Sequence, residues 1–259
     1  MQFDNFSDTD PMVRISILDV PVDAQRFDAA ITCLARWATE PQPRYVVTCA
    51  VYTLMQGRQN PAIQKAIEQA DMITADGMPL VWLQRRLGYP PAERVYGPDI
   101  MTELCRATAN GSASHYFYGG RGDIAERVAT KWQHEFPGLH IAGTEAPPDN
   151  LLMDAPPDPA VVQRLNESGA DIIWVGLGSP KQDLWMARYR PVLNASLLIG
   201  VGAAFDFFSG RVSQAPRWIQ HSGFEWLFRL TQEPTRLWRR YLVYNPWFMW
   251  LVLRHHILK

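Results

Sequence analysis

Asp76 is the residue of this sequence whose type and setting most directly allow chemistry. It follows the strand-like run DMITA at 71–75 and precedes Gly77, which puts a carboxylate at the carboxyl end of a strand. There it could take a proton from a substrate hydroxyl, or it could cap the next helix, and the pattern leaves both open. A second feature is the spacing of Arg229, Arg236 and Arg239, separated by seven and three residues. On a continuous helix they share a face, and Glu233-Pro234 reads as the first turn of a restarted helix. Converging guanidinium groups can hold a pyrophosphate bidentately and stabilise it as a leaving group; the other reading is a solvated basic face. A third is the stretch DIIWVGLGSPKQDLWM at 171–186, where an apolar run meets a glycine turn and then the polar residues Lys181, Gln182 and Asp183. Strand, loop and helix start in that order make an anion site, or a plain turn between strand and helix. It is not the dinucleotide fingerprint, because Pro180 and Lys181 interrupt it.

The weaker signals sort quickly. Asp99 reads as a helix cap, and Asp206, between Phe205 and Phe207, needs a partner if it is buried. Asp8-Thr9-Asp10 is the sequence's D-x-D, but it precedes the first strand and makes a poor metal site. The histidines show no ligand spacing, with His255-His256 on the tail, and no Gly-x-Ser-x-Gly elbow or Cys–His pairing stands out.

These residues need elements to position them. Residues 14–20 read as a strand or edge hairpin, 23–38 as a helix ended by Pro41, and 45–49 as a short buried strand. Helical pieces broken at Gln59-Asn60-Pro61 lead to a strand at 71–75, a helix at 80–87, and another from Asp99. Strands at 115–118 and 140–143 flank a helix at 123–136. A Pro-rich loop at 146–159, a helix through Leu165, and strands at 172–175 and 197–201 follow. Strands alternating with helices predict an α/β, Rossmann-like, mainly parallel sheet with helices on both faces, plus a helical C-terminal appendage. The expected division is 1–224 for the α/β domain and 225–259 for the appendage.

Composition narrows the class. A net charge of −1 argues against nucleic acid as a partner. Three cysteines point to a reducing compartment rather than a disulfide framework. The start MQFDNFSDTDPM lacks the apolar core of a signal peptide, and no run is long enough to span a bilayer, so a cytoplasmic protein is expected. From Glu225 onward there are six Lys/Arg against two acids, a balance of +4 that leaves −5 on the rest. The same tail carries Trp226, Trp238, Trp247 and Trp250. Its apolar segment at 243–253, interrupted at Asn245-Pro246 and flanked by Arg239, Arg240, Arg254 and Lys259, suits an anionic membrane surface; packing on the body is the other reading.

Several blocks in order resemble the WecG/TagA/CpsF family of bacterial glycosyltransferases. They are ADGMP at 75–79, RVYGPD at 94–99, VGLGSPKQD at 175–183, GVG at 200–202 through Phe205-Asp206, APRW at 215–218, GFEWLFRL at 223–230, and Glu233-Pro234-Thr235-Arg236. The resemblance implies an inverting, metal-independent transfer of a sugar from a UDP-sugar donor to a polyprenyl-diphosphate-linked sugar acceptor. The work would be done at the inner face of the cell membrane, in surface or exopolysaccharide synthesis. It makes Asp76 the catalytic base and implies substrate contacts at Thr48, Gly77, Gly176, Gly178, Lys181, Gln182, Asp206, Arg229, Arg236 and Arg239. No cofactor is implied, and a homo-oligomer stays open. The sequence departs from the family pattern where Thr-x-Asn becomes Thr48-Cys49-Ala50, P-K-Q-E becomes Pro180-Lys181-Gln182-Asp183, and the Arg before Ala-Pro becomes Gln214. A Gly-Tyr-Phe after the fifth strand is replaced by Ala146-Pro147-Pro148. These changes leave the sugar open between N-acetylmannosamine and another such as glucose. The rival readings are a non-catalytic accessory subunit of a partner transferase and a nucleotide-dependent oxidoreductase. Against the latter stand the broken fingerprint and the lack of an acid about 20 residues beyond it.

Overall fold

The computed structural model describes residues 12–148 and 154–257. Asp8-Thr9-Asp10, Lys259 and the middle of the Pro-rich segment lie outside the described residues. The strands are β1 (Val13–Ile17), β2 (Val20–Ala24), β3 (Arg44–Cys49), β4 (Met72–Ala75), β5 (Ser114–Gly119), β6 (His140–Glu145), β7 (Ile172–Gly176) and β8 (Leu197–Gly200). They form one sheet in the order β1-β2-β4-β3-β8-β7-β5-β6. β1 runs antiparallel to β2, and the other described pairings are parallel.

The strands read as unbroken apolar runs because both sheet faces are covered. Val46, Met72, Phe117, Trp174 and Ile199 point to one face. They pack with α1 (Phe27–Trp37), α5 (Gly97–Ala107), α6 (Ile124–Glu135) and α9 (Ala204–Phe208). Their sequence neighbours, among them Val47, Ile73, Ile173, Val175 and Leu198, point to the other face. There they meet α2 (Val51–Gln59), α3 (Pro61–Glu68), α4 (Met78–Arg86), α7 (Pro159–Glu167) and α8 (Lys181–Tyr189). The expected break before α3 is a cap: the Asn60 side chain accepts the Ala62 N–H, and Pro61 opens the helix.

One expected element is corrected. The helix assigned to 23–38 begins only at Phe27, because 20–24 is the second strand of a hairpin. Leu18 and Asp19 take the positive φ angles, 50° and 67°, that a two-residue hairpin turn of this hand requires. Asp23, the first residue of the expected helix, is a buried strand residue. Its carboxylate accepts two bonds from Arg14, at 2.7 and 3.0 Å, and the Ile73 N–H at 2.7 Å.

After α10 (Arg217–Ser222) come α11 (Glu225–Gln232), α12 (Pro234–Trp238), a π-helical turn at Arg239–Val243, and α13 (Tyr244–Val252). The chain breaks at Glu233 and restarts on Pro234, as expected. Asn245-Pro246 does not interrupt the helix. A proline ring needs the carbonyl four residues back moved aside, and the π turn does this, the Tyr244 N–H bonding Arg239 O five residues back. α13 is two-faced. Phe248, Leu251 and Val252 are buried in the core below α2, and Tyr244 packs edge-on to Tyr52 with ring centroids 5.1 Å apart. Gln56 Nε2 donates to the Tyr244 hydroxyl at 2.9 Å. Met249 and Trp250 of α13, with Trp238, Leu242, Val243 and Leu253 around it, stay exposed. The packing reading therefore holds for one face of the tail, and the other face is exposed. No helix of the described residues is long and apolar enough to cross a membrane.

Candidate active site

The helices that follow β3 and β7 cover one face, and those that follow β5 and β8 cover the other. Chain leaving adjacent strands in opposite directions opens a crevice at their carboxyl ends. The crevice here is a cleft of about 700 Å³ with the tail along one wall. Its volume falls within the range of small-molecule sites. Thr48, Asp76, Gly176, Gly178, Lys181, Gln182, Asp206, Arg229, Arg236 and Arg239 all line it. Gly77 lies instead in a smaller adjoining pocket of about 90 Å³, which shares Tyr52, Asp76, Tyr96, Arg229 and Arg240 with the cleft. Asp76 thus stands at the boundary of two cavities.

Asp76 is not a cap on α4, whose N-terminal residue Gly77 has no side-chain capping bond. The carboxylate turns to the start of α5, where Oδ1 accepts the Gly97 N–H at 3.0 Å. Its backbone oxygen accepts Arg94 Nε at 2.6 Å. Burial pushes its pKa up, against the pull of Arg94 and the Gly97 N–H. Asp99 is also not a cap. It lies inside the first turn of α5 and accepts both bonds from Arg217, at 3.0 and 3.1 Å.

Beneath the glycine loop the side chains are locked. Gly178 has a φ of +74°, which favours glycine, and a Cβ on Gly176 would sit 2.5 Å from the Phe205 ring. The Thr48 hydroxyl donates to Gly200 O at 2.6 Å, tying β3 to β8. Gln182 is 1% exposed, and its Oε1 is buried at the cleft without a hydrogen-bond partner among the described residues. Thr53 donates to Ser179 Oγ at 2.8 Å, and Ser179 donates to Asp183 at 2.6 Å. Burial pushes the Asp183 pKa up to about 6, the Ser179 bond opposing it. Lys181 is exposed at the rim.

The arginines are not equivalent. Asp206 finds the partners its setting demanded, Arg211 at 3.3 Å and Arg236 at 3.7 Å, and Arg236 also pairs with Glu233. Arg236 is therefore already largely neutralised. No carboxylate pairs with Arg229, Arg239 or Arg240 among the described residues. Arg229 lies over the Phe207 ring at 5.4 Å, with its Nε buried and unpartnered. Arg240 lies over Tyr52 at 4.8 Å, and burial lowers its pKa. Cations enclosed without counter-ions are positioned for a bound anion. Arg240 was missed in the sequence, although it stands four residues after Arg236 on the same face. Arg94 and Glu225, both inside recognised blocks, were also missed as members of the site.

Among the described residues no group of three or more His, Cys, Asp or Glu side chains could hold a metal ion. The model of the Glycosyl transferase WecG/TagA/CpsF family matches residues 15–259. The chain is also similar to the N-acetylglucosaminyldiphosphoundecaprenol N-acetyl-beta-D-mannosaminyltransferase of Bacillus spizizenii. The two are 30% identical over 211 residues, which cover 82% of this chain and 79% of the relative.

Proposed function

The chain belongs to the WecG/TagA/CpsF family of glycosyltransferases, and from that premise we propose a specific reaction for it. It transfers a sugar from a UDP-sugar to a polyprenyl-diphosphate-linked sugar, by one inverting displacement and without a metal ion. The observation that carries this reading is Asp76 at the boundary of two cavities, with the unpaired cations Arg229 and Arg240 lining both. UDP occupies the larger cleft, with its diphosphate toward Arg229, Arg239, Arg240 and the glycine-loop N–H groups. Asp76 accepts the proton of the acceptor hydroxyl as that oxygen attacks the anomeric carbon. The C–O bond to UDP breaks on the opposite side, and the arginines meet the charge that develops on the leaving phosphate. Gln182 and Thr48 position the substrates from the cleft floor.

The tail supplies the second half of the reading. Its exposed Trp238, Leu242, Met249, Trp250 and Leu253, with Arg254 beside them, form an aromatic and basic surface suited to the interface of an anionic bilayer. In this reading the protein works at the inner face of the cell membrane, and the lipid-linked acceptor arrives beside the tail. The relative's name specifies N-acetylmannosamine as the sugar moved and a diphosphoundecaprenol-linked acceptor. Ala50, standing where the family pattern has Asn, lines the smaller pocket and leaves that choice open between N-acetylmannosamine and glucose.

The test is a panel of UDP-sugars, UDP-N-acetylmannosamine and UDP-glucose among them, with short polyprenyl-diphosphate acceptors in EDTA. Transfer with inversion is expected from one of them. Failure with every donor, or activity that appears only with Mg²⁺ or Mn²⁺, overturns the proposal.

A further inference from the structure

Resting on the reading of Asp76 as the base, we propose that Glu225 is a positioning residue. It holds the Arg94 guanidinium away from the Asp76 carboxylate, so that the base is free only while the tail is docked. Arg94 stands between two acids. Its Nε is anchored on the Asp76 backbone oxygen at 2.6 Å, and its guanidinium stacks 3.8 Å above the Tyr96 ring. Its Nη2 forms an ion pair with Glu225 Oε2 at 2.7 Å. The other Glu225 oxygen, Oε1, accepts the Tyr96 hydroxyl at 2.7 Å. Glu225 is only 7% exposed, and a buried carboxylate persists there because both of its oxygens are engaged.

Without Glu225 the nearest anion for Arg94 is the Asp76 carboxylate, borne by the residue whose backbone Arg94 already grips. The charged groups that act on Asp76 are Arg94, Arg229 and Arg240 on the positive side and Glu225 on the negative. The Tyr96 hydroxyl and Cys49 thiol nearby are held protonated by burial. Removing Glu225 would leave three cations around one carboxylate. Asp76 would then stay ionised to lower pH, become a weaker base, and lie pinned in an ion pair instead of facing the acceptor. Glu225 is the first residue of α11. Docking of the tail therefore delivers the arginines to the diphosphate and releases the base in one event.

Full-length Glu225→Gln keeps the shape and an acceptor for Tyr96. UDP affinity, measured by calorimetry, should stay within about twofold of wild type, while turnover on a soluble acceptor falls by about tenfold. The acid limb of kcat/KM should move down by about half a pH unit or more. Glu225→Asp retains the charge but retreats by one methylene, so its limb should fall between those of wild type and Gln. That variant also carries the test if Glu225→Gln does not fold. An unmoved limb, an upward shift, or equal shifts for Asp and Gln overturns the proposal. Asp76→Asn separates the two levels: if it abolishes turnover while the Glu225 limbs stay put, this inference alone fails, and if it remains active, the base reading beneath fails too.

Discussion

Replacing Asp76 with Asn is the sharpest perturbation of the proposed chemistry, because the structure says what is kept and what is lost. Oδ1 accepts the Gly97 N–H at 3.0 Å, and an asparagine oxygen can take the same bond. Arg94 grips the backbone oxygen of residue 76 and not its side chain, so the loop keeps its anchor. What disappears is one negative charge and the capacity to accept a proton. A positioned general base contributes roughly 10²–10⁴-fold, so turnover should fall by about a hundredfold or more, about 2.7 kcal/mol in barrier height. UDP binding should hold or strengthen, because the lost carboxylate lies within electrostatic reach of Arg229 and Arg240. Wild-type activity should rise with pH through a limb above the ordinary carboxylate range, since burial raises this pKa, and the limb should vanish in Asp76→Asn. The assay is steady-state transfer to a soluble acceptor with saturating donor, with UDP affinity measured by calorimetry. Turnover within about threefold of wild type refutes the assignment. So does a collapse of UDP affinity, which would make Asp76 a donor-holding group.

Arg240→Ala should weaken UDP binding by about 10–100-fold, as expected for one charged hydrogen bond, whereas Arg236→Ala should cost much less because Asp206 and Glu233 already engage it; calorimetry at fixed ionic strength decides. Asp183 should make the fold pH-sensitive. Its folded pKa, about 6, lies above the ordinary carboxylate range, so its contribution is whole below that range and is lost as pH rises through 6. Asp183→Asn removes that loss, and its stability advantage over wild type, read by denaturant unfolding, should grow from pH 4 to 7, toward roughly 3 kcal/mol. Exchanging exposed Leu242 and Trp250 for Ser should weaken flotation with anionic liposomes while leaving transfer to a soluble acceptor within about twofold; unchanged flotation would remove the membrane role of this face.

The fold was legible where both faces of the sheet are buried, because runs such as YVVTC and IIWV have few other solutions. Asp76 was legible for a related reason: an acid directly after a buried strand and before a glycine must stand at the sheet's end. Asp23 was misread as the start of a helix because its reason for being a strand residue is Arg14, on another strand, and an acid also suits the first turn of a helix. Asp99 failed in the same way, with its partner Arg217 more than a hundred residues on. The spacing of Arg229, Arg236 and Arg239 located the cationic wall of the cleft. It could not show that Asp206 neutralises one member or that Arg240 lines the cleft beside the others. Glu225 carried no local signal, because its meaning lies in Arg94 and Tyr96. Periodicity reports which face a residue occupies, and a residue's charge balance depends on what other segments bring to that face.

The position of β8 has a consequence for how the molecule is made. It lies at the centre of the sheet, between β3 and β7, yet it is the last strand among the described residues. On a ribosome, the half-sheet β1-β2-β4-β3 and the half-sheet β7-β5-β6 emerge without the strand that joins them. The two halves can close only after residue 200 has left the exit tunnel, and the arginine-bearing helices follow later still. A nascent chain therefore has no assembled cleft during most of its synthesis, and long-range strand pairing of this kind is slow to nucleate. Termination before β8 would leave exposed strand edges, and termination between β8 and the tail would leave a cleft without its arginines. The cleft is thus completed by the central strand and the helices beyond it, and not by the half-sheets that emerge first.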